Sequence, residues 1–482
     1  VSGYSYTRVA INTFFLTIAD IANKVLMFFF YVLAARHLGV ERFGVLSFGF
    51  AFATMFSALT DLGLGAIAAR EIARDSKVAR YHIHNALGIK SMMAILVIGL
   101  IWLLVNILGY PLENRLVVYI CSLFVFETAF TAYFCYIFQG FQRMEYTAVV
   151  RIVQSFMLFT GVLLLRRSLP QTISYAWLYT GAGLSATVAG GAIIARQFVP
   201  LRLSFDIKKW ARLLRDGLPI GIGTIFVLFY YWNGSTLLSK LSGDRPVGIF
   251  NAAFRLVIGL SSLGISFSTA LYPVFSNLFT HDNVQLKKAI AKAIRIMMLI
   301  LLPIAALGTI LAERLILLIY GQRYLSSFPV LRILVWWTFL AGFSSLFSNY
   351  FMATNRAKLM TVQTGLALVV NVLGNLLLIP LFNATGAALS VIAAEFVSVI
   401  FYIIIWTSQD FCNRTLSDLG KSLLRIFLAS IAAALIVSAL LSINWLASIS
   451  AGLVVYCVIL IIANEITSED TGVIKGLLKK SR

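Results

Sequence analysis

Apolar stretches long enough to cross a bilayer recur along the whole chain, and no other property of the sequence restricts its fold so strongly. A hydrocarbon core of about 30 Å needs about 20 apolar residues of helix, and only helices or closed barrels can satisfy every backbone group in lipid. Fourteen such stretches are read here, the first centred near residue 22 and the last near residue 455. Hydrophobic residues make up 60% of the chain and charged residues only 12%, with a mean hydropathy of +0.91. The expected fold is therefore an all-α integral membrane protein. Pro111, Pro170, Pro200, Pro246, Pro329 and Pro380 fall in the proposed connections, and Pro219 is expected to open a helix. Pro273 and Pro303 fall inside spans, where they should kink them.

Lysine and arginine set the expected orientation. With the N-terminus inside, 27 of the 39 fall in inner segments, 10 in outer ones, and Lys24 and Arg255 within spans. The positive-inside rule then places both termini in the cytoplasm, and the natural location is the cell (inner) membrane. The net charge of +20 is spread over loops between apolar spans, which fits anionic headgroups and argues against nucleic acid as a partner. The first span is too long and too charged for a cleaved signal peptide. Cys121, Cys135, Cys412 and Cys457 are scattered, and no metal-ligand spacing occurs, so no disulfide framework or metal site is expected. Outer loops are short and carry no cluster of carboxylates or histidines, which leaves little room for catalysis and favours a transporter over a membrane glycosyltransferase. Two inner connections, 205–215 and 284–295, look amphipathic and are expected to lie on the inner leaflet.

Polar groups inside the spans are the functional candidates, because an ion in a bilayer is costly unless it faces protein or water. Asp20 and Lys24, four residues apart on the first span, can pair on one face, and Thr13, Thr17 and Tyr31 share their stripe. The eighth span carries Asn251 and Arg255 on a side that continues through Gly259, Ser262, Ser266 and Thr269. The seventh offers Tyr231 and Asn233, the eleventh Asn371 and Asn375. Asp61, Glu127 and Glu395 are the remaining intramembrane acids and the candidates for ion coupling, to Na+ or H+. For the serines and threonines, helix packing is the simpler explanation.

An internal repeat is visible. Gly39-Val40-Glu41-Arg42-Phe43-Gly44 has a counterpart six spans later in Gly243-Asp244-Arg245-Pro246-Val247-Gly248, and Arg143–Thr147 is echoed more weakly by Arg356–Met360. An even number of crossings gives both copies one orientation, so two six-helix lobes related by an axis along the membrane normal are expected. Their proposed bounds are 1–200 and 201–410, with 411–482 holding the last two spans and a cytoplasmic tail.

The pattern Ala35-Arg36-His37-Leu38-Gly39 with Phe43-Gly44, then Thr60-Asp61-Leu62-Gly63-Leu64-Gly65 and Arg70-Glu71, resembles the start of polysaccharide flippases of the multidrug/oligosaccharidyl-lipid/polysaccharide exporter superfamily. Gly217-Leu218-Pro219, the run Val247–Arg255, Leu271–Ser276, Tyr320-Gly321 and Ile379-Pro380 with Gly386-Ala387-Ala388 extend the similarity over nearly the whole chain, in the order and spacing of the branch that includes O-antigen flippases. The resemblance implies fourteen helices in two lobes around a cavity that opens to either side in turn. It implies as substrate a polyprenyl-linked oligosaccharide, with polysaccharide polymerases or glycosyltransferases as partners. Lys24 and Arg255 would then meet the phosphate and tyrosines and asparagines the glycan, while Asp20 would hold Lys24 in place. One departure concerns the seventh span, where relatives often carry an aspartate and this chain has Asn233. The alternative within the superfamily is an exporter of organic cations, which would want an uncompensated acid such as Glu127 or Glu395 in its cavity.

Single cysteines at Ser76, Lys209 and Ser481 are expected to react with an impermeant maleimide only from the cytoplasmic side, and one at Ser326 only from outside. Labelling from the opposite side at any of them overturns the orientation.

Overall fold

A computed structural model of the protein describes residues 6–410, 413–441, 443–463 and 465. Side chains are described from Ala19 onward, those of 409–418 excepted, so Arg8, Thr13, Thr17, Ser481 and the basic residues of 475–482 lie outside the described residues. All regular structure among the described residues is helical. In order the helices are α1 (Tyr6–Leu38), α2 (Val40–Ser57), α3 (Leu64–Arg74), α4 (Ala79–Ile107), α5 (Leu112–Ser122), α6 (Phe124–Gly140), α7 (Met144–Leu165), α8 (Thr172–Gln197), α9 (Ile207–Ser242), α10 (Asp244–His281), α11 (Asn283–Ile319), α12 (Phe328–Ala353), α13 (Lys358–Asp410), α14 (Asn413–Leu440) and α15 (Trp445–Ile462).

Among the described residues thirteen segments are long and apolar enough to cross a membrane, α5 and α6 counting as one and α3 as none. One of them is two crossings. A helix of 53 residues such as α13 would run about 80 Å, more than twice the apolar thickness of a bilayer. The backbone leaves the helical region at Asn383 (φ 50°, ψ −126°), three residues beyond Pro380. A Cβ on Gly386 would stand 2.1 Å from the Leu378 carbonyl oxygen, so only glycine lets the two arms fold this closely. Among the described residues the crossings therefore number fourteen, and the protein is a multi-pass membrane protein.

The prolines and the amphipathic connections differ in part from expectation. Pro111 is the N-cap of α5, and Pro329 lies in the first turn of α12. Pro246 also sits in the first turn of a helix, α10, where the missing N–H costs nothing. Pro219, expected to open a helix, is inside α9, because that helix begins twelve residues earlier at Ile207, where the Asp206 carboxylate accepts from the Lys209 amide at 3.2 Å. The stretches 205–215 and 284–295 are thus helical extensions of α9 and α11 and not separate surface helices. Protein covers part of each apolar face, while Ile207 and Val284 stay exposed. Trp210 and Leu213 pack among Ala79, Ile83 and Leu87, and Leu286, Ile290 and Ala293 among Phe275, Tyr350 and Phe351.

The described contacts form two compact units. The first comprises Val1–Arg255, Ile319–Tyr324 and Thr364–Ser390; the second comprises Leu256–Leu318, Leu325–Gln363 and Val391–Arg482. In the second, α14 and α15 pack on α11 through Leu302, Ile426, Ala429, Ala433 and Tyr456. In the first, the two copies of the glycine repeat meet. Gly39 (φ 77°, ψ 174°) and Gly243 (φ 85°, ψ −176°) adopt one left-handed conformation, which an L side chain rarely takes. A Cβ on Gly44 would lie 1.9 Å from the Asp244 carbonyl oxygen, and one on Gly248 would lie 2.0 Å from that of Val40. The contact is reciprocal, each helix start lying backbone to backbone on the other. The weaker echo also has a structural basis. Gln142 (φ 57°) and Asn355 (φ 60°) are both left-handed, and each is followed by an arginine whose amide donates back five residues, Arg143 to Phe138 O at 2.9 Å and Arg356 to Phe351 O at 2.8 Å. Both are the same helix-ending motif.

Because the obstacles at Gly44 and Gly248 are backbone atoms, no side chain can yield. Gly44→Val and Gly248→Val are each expected to cost about 1–3 kcal/mol or more, the range for overpacked interiors, read as a fall in the melting temperature of detergent-solubilised protein. Gly99→Ala, where a Cβ meets nothing within 4 Å, should leave it unchanged or slightly raised.

Candidate functional site

Arg255 lies on α10, in the fourth turn from its start. Its guanidinium stands 3.9 Å from the centroid of the Tyr31 ring and 5.2 Å from that of Trp232, so an aromatic cage takes the place of a carboxylate. Its Nε–H is buried and makes no hydrogen bond. Tyr320, just after α11, is within electrostatic reach of Arg255 and 3% exposed, with a buried hydroxyl that has no hydrogen-bond partner. Burial pushes the Tyr320 pKa up, against the pull of Arg255, so the hydroxyl stays a neutral donor. Two unmet donors, one cationic, make this a place that wants an acceptor, and an anionic oxygen suits it best.

A second polar feature is a cavity of about 610 Å³ lined by Asp20, Glu127, Thr131, Thr147, Arg151 and Gln154 among others, from α1, α6 and α7. Asp20 pairs with Arg151 of α7 and not with Lys24. The expected stripe on α1 is therefore split: Asp20 faces α7, Tyr31 is buried under Arg255, and Lys24 is exposed with no carboxylate within 4 Å among the described residues. The reason lies in distance along the chain. A partner four residues away must share the rim of one helix, whereas α7 presents its arginine across a packed interface. Glu127 is 3% exposed and accepts from Gln154 Nε2 at 3.1 Å, while its other oxygen has no partner. Gly183 makes room for it, since a Cβ there would meet Glu127 Cγ at 2.6 Å.

The asparagines bond mainly to one another and to neighbouring helices, although Asn371 Nδ2 and Asn375 Oδ1 have no partner. Asn233 donates to Asn371 at 2.8 Å, and Asn375 donates to Asn233 and Asn371 at 2.8 and 3.1 Å, with all three buried. Asn251 is fully buried and donates to Ser235 Oγ and Val247 O, both at 3.0 Å. Tyr231 is half-buried, edge-on to Tyr230 at 5.5 Å. Glu395, in the second unit, accepts from Trp337 Nε1 at 3.2 Å. Asp61 pairs with Lys90 at 2.6 Å, and that lysine is completely buried with its ammonium 5.1 Å from the Tyr133 ring centroid. Lys90 and Arg151 are two of the 27 basic residues that the positive-inside count puts in inner segments, yet each stands a few turns inside a helix. The apolar runs beginning at Ile89 and Ile152 were the available signals.

With this geometry in place, comparison with known proteins gives a consistent result. Residues 9–279, more than half the chain, match the polysaccharide biosynthesis protein family, and residues 219–377 match the MatE family. The chain belongs to the polysaccharide biosynthesis protein family, the polysaccharide branch of the multidrug/oligosaccharidyl-lipid/polysaccharide superfamily. It is 26% identical over 391 residues to a putative O-antigen transporter of Escherichia coli (strain K12), covering 80% of this chain and 93% of that one. It is 22% identical over 386 residues to the probable low-salt glycan biosynthesis flippase Agl15 of Haloferax volcanii, covering 78% of each. Among solved structures, the lipid II flippase MurJ in an inward closed conformation superposes with a TM-score of 0.77 at 15% identity, covering 93% of this chain and 98% of that one. An inward-facing multidrug resistance MATE transporter gives 0.63 at 15% identity, over 83% and 96%. At such identities these two likenesses concern the fold.

Removing one member of each ion pair separates their roles. Lys90→Met strands Asp61 and is expected to cost about 3–5 kcal/mol, the range for breaking a buried pair, measured as loss of thermal stability. Asp20→Ala should destabilise through the unmatched Arg151, and Asp20→Ala with Arg151→Ala should recover most of that loss. Lys24→Ala should leave stability unchanged, and a matching loss there would restore Lys24 as Asp20's partner.

Proposed function

We propose that this protein is a flippase that moves a polyprenyl phosphate- or pyrophosphate-linked oligosaccharide from the inner to the outer leaflet by alternating access, for cell-surface polysaccharide biosynthesis. The observation that carries the proposal is the cage around Arg255, a cation within a membrane-spanning helix whose Nε–H and neighbouring Tyr320 hydroxyl lack acceptors. An intramembrane cation is expensive unless it has a use, and a phosphate oxygen is the acceptor that a guanidinium fork matches best. The names borne by the relatives, an O-antigen transporter and a glycan flippase, point the same way. Lys24, exposed on α1, would supply a second cation along the path.

In this reading the protein is a transporter without catalytic residues, resides in the inner membrane with both termini cytoplasmic, and works beside polysaccharide polymerases and glycosyltransferases. Glu127 is the residue we assign to ion coupling. Its unpartnered buried oxygen in the cavity of α1, α6 and α7 suits uptake of H+ or Na+, whereas Asp61 and Asp20 are already neutralised by Lys90 and Arg151. An exporter of organic cations would call on the same acid, but it gives no use to a caged arginine.

In cells lacking their own O-antigen flippase, Arg255→Ala is expected to abolish surface glycan at normal membrane levels of protein. Arg255→Lys, which keeps charge but loses the fork, should retain partial export. Export by Arg255→Ala at the wild-type rate would sink the proposal.

A further inference from the structure

Three arginines outside the caged site converge on one depression of the first unit. A pocket of about 410 Å³ is lined by Leu38, Gly39, Val40 and Glu41 together with Arg42, Arg245 and Arg323. The arginines come from three segments: the first turn of α2, the first turn of α10 and the turn that follows α11. Two of them are the arginines of the repeated glycine motif, and the reciprocal backbone contact at Gly44 and Gly248 is what brings them together. The third is held by its own anchors. Tyr324, wholly buried, donates its hydroxyl to Ala35 O at 2.9 Å, and Arg36 Nε donates to Ile319 O at 2.7 Å, which ties this turn to the end of α1.

No carboxylate pairs directly with these three charges. Arg42 donates to the Pro170 carbonyl at 2.5 Å, which orients it without neutralising it. Neither Arg42, Arg245 nor Arg323 has a carboxylate within 4 Å among the described residues. The neighbouring acids Asp244 and Glu113 are hydrogen-bonded by the neutral side chains of Asn114, Ser239 and Thr172, which hold them in place away from ion pairing with the arginines. Of the charged residues that line the pocket itself, three are arginines and one, Glu41, is acidic. Gathering three guanidinium groups at one place raises their mutual repulsion unless an anion sits among them, and the uncapped start of α2 adds amide donors on the same side.

We propose that Arg42, Arg245 and Arg323 form a second oxyanion site, for a phosphate or pyrophosphate group, at the end of the first unit opposite the cytoplasm. Its volume lies in the range of small-ligand sites, enough for a pyrophosphate and the start of what is attached to it. Arg245 and Arg255 are ten residues apart on one helix, which is about 15 Å along its axis. The two sites therefore form a ladder, with the anion leaving the cage for the mouth. This role on the transport path rests on the proposed flippase function; binding of the oxyanion does not.

The test uses the full chain in phosphatidylcholine nanodiscs and labelled inorganic pyrophosphate, with every measurement in an Arg255→Gln background so that the caged cation contributes nothing. Binding is expected to persist in that background and to weaken at least tenfold when Arg245→Gln and Arg323→Gln are added. Arg245→Lys with Arg323→Lys should keep most of it, which separates lost charge from lost fold. No binding in the Arg255→Gln protein, or binding indifferent to the added glutamines, overturns the proposal. Repeating the measurement with phosphatidylglycerol in the disc identifies the source of the anion. Displacement of pyrophosphate assigns the site to the bilayer's own headgroups, and undiminished binding assigns it to a transported headgroup; both support an oxyanion site. If export proves indifferent to Arg255 while pyrophosphate binding still depends on Arg245 and Arg323, the flippase reading fails and the site stands.

Discussion

The contact between the first turns of α2 and α10 organises the first unit. Two backbones can approach this closely only where both helices give up a Cβ, at Gly44 and Gly248, and where the chain entering each helix turns through a left-handed glycine, at Gly39 and Gly243. In water such a contact would be one of several ways to pack two helices. In a bilayer, where lipid tails compete equally for apolar side chains, close backbone approach is a principal source of helix association. The polar groups of α10 are placed by that crossing. It sets the axial position of α10, and hence the height of Arg255 against Tyr31 and Trp232.

The polar groups of the membrane-spanning region fall into two physical kinds. Asn233, Asn371 and Asn375, and likewise Asn251 with Ser235, spend most of their hydrogen-bonding capacity on one another, so they hold helices together. Asn371 and Asn375 each still keep one buried atom without a partner, as do Arg255, Tyr320 and Glu127, and in these last three the unmet atom belongs to an ionisable group. An unmet buried group costs free energy in the resting protein, and its persistence is intelligible where a ligand or an ion supplies what is missing.

Much of this architecture could be read from the chain itself. The spans declare themselves by length and apolarity, and the hairpin within α13 by Pro380. The repeated glycines were visible as a motif, although their mutual contact was not. What the sequence hid were partnerships between distant residues. Asp20 finds Arg151 across 131 positions and Asp61 finds Lys90 across 29, whereas helical periodicity can only propose neighbours such as Lys24. The two basic partners were further masked by lying near the ends of apolar runs, where loop and helix look alike. For the amphipathic starts of α9 and α11, periodicity revealed an apolar face but not whether lipid or protein would cover it.

The Lys90–Asp61 pair also bears on how the chain enters the membrane. Asp61 follows the end of the second crossing and Lys90 lies within the third, with the short helix α3 between them. Neither charge is at ease alone in hydrocarbon, where each adds about 2.5–3.5 kcal/mol to insertion. A lysine with no exposed surface must meet its aspartate before lipid closes around α4. The pair therefore latches the end of the second crossing to the third, and either charge left single would weigh against the hairpin they make.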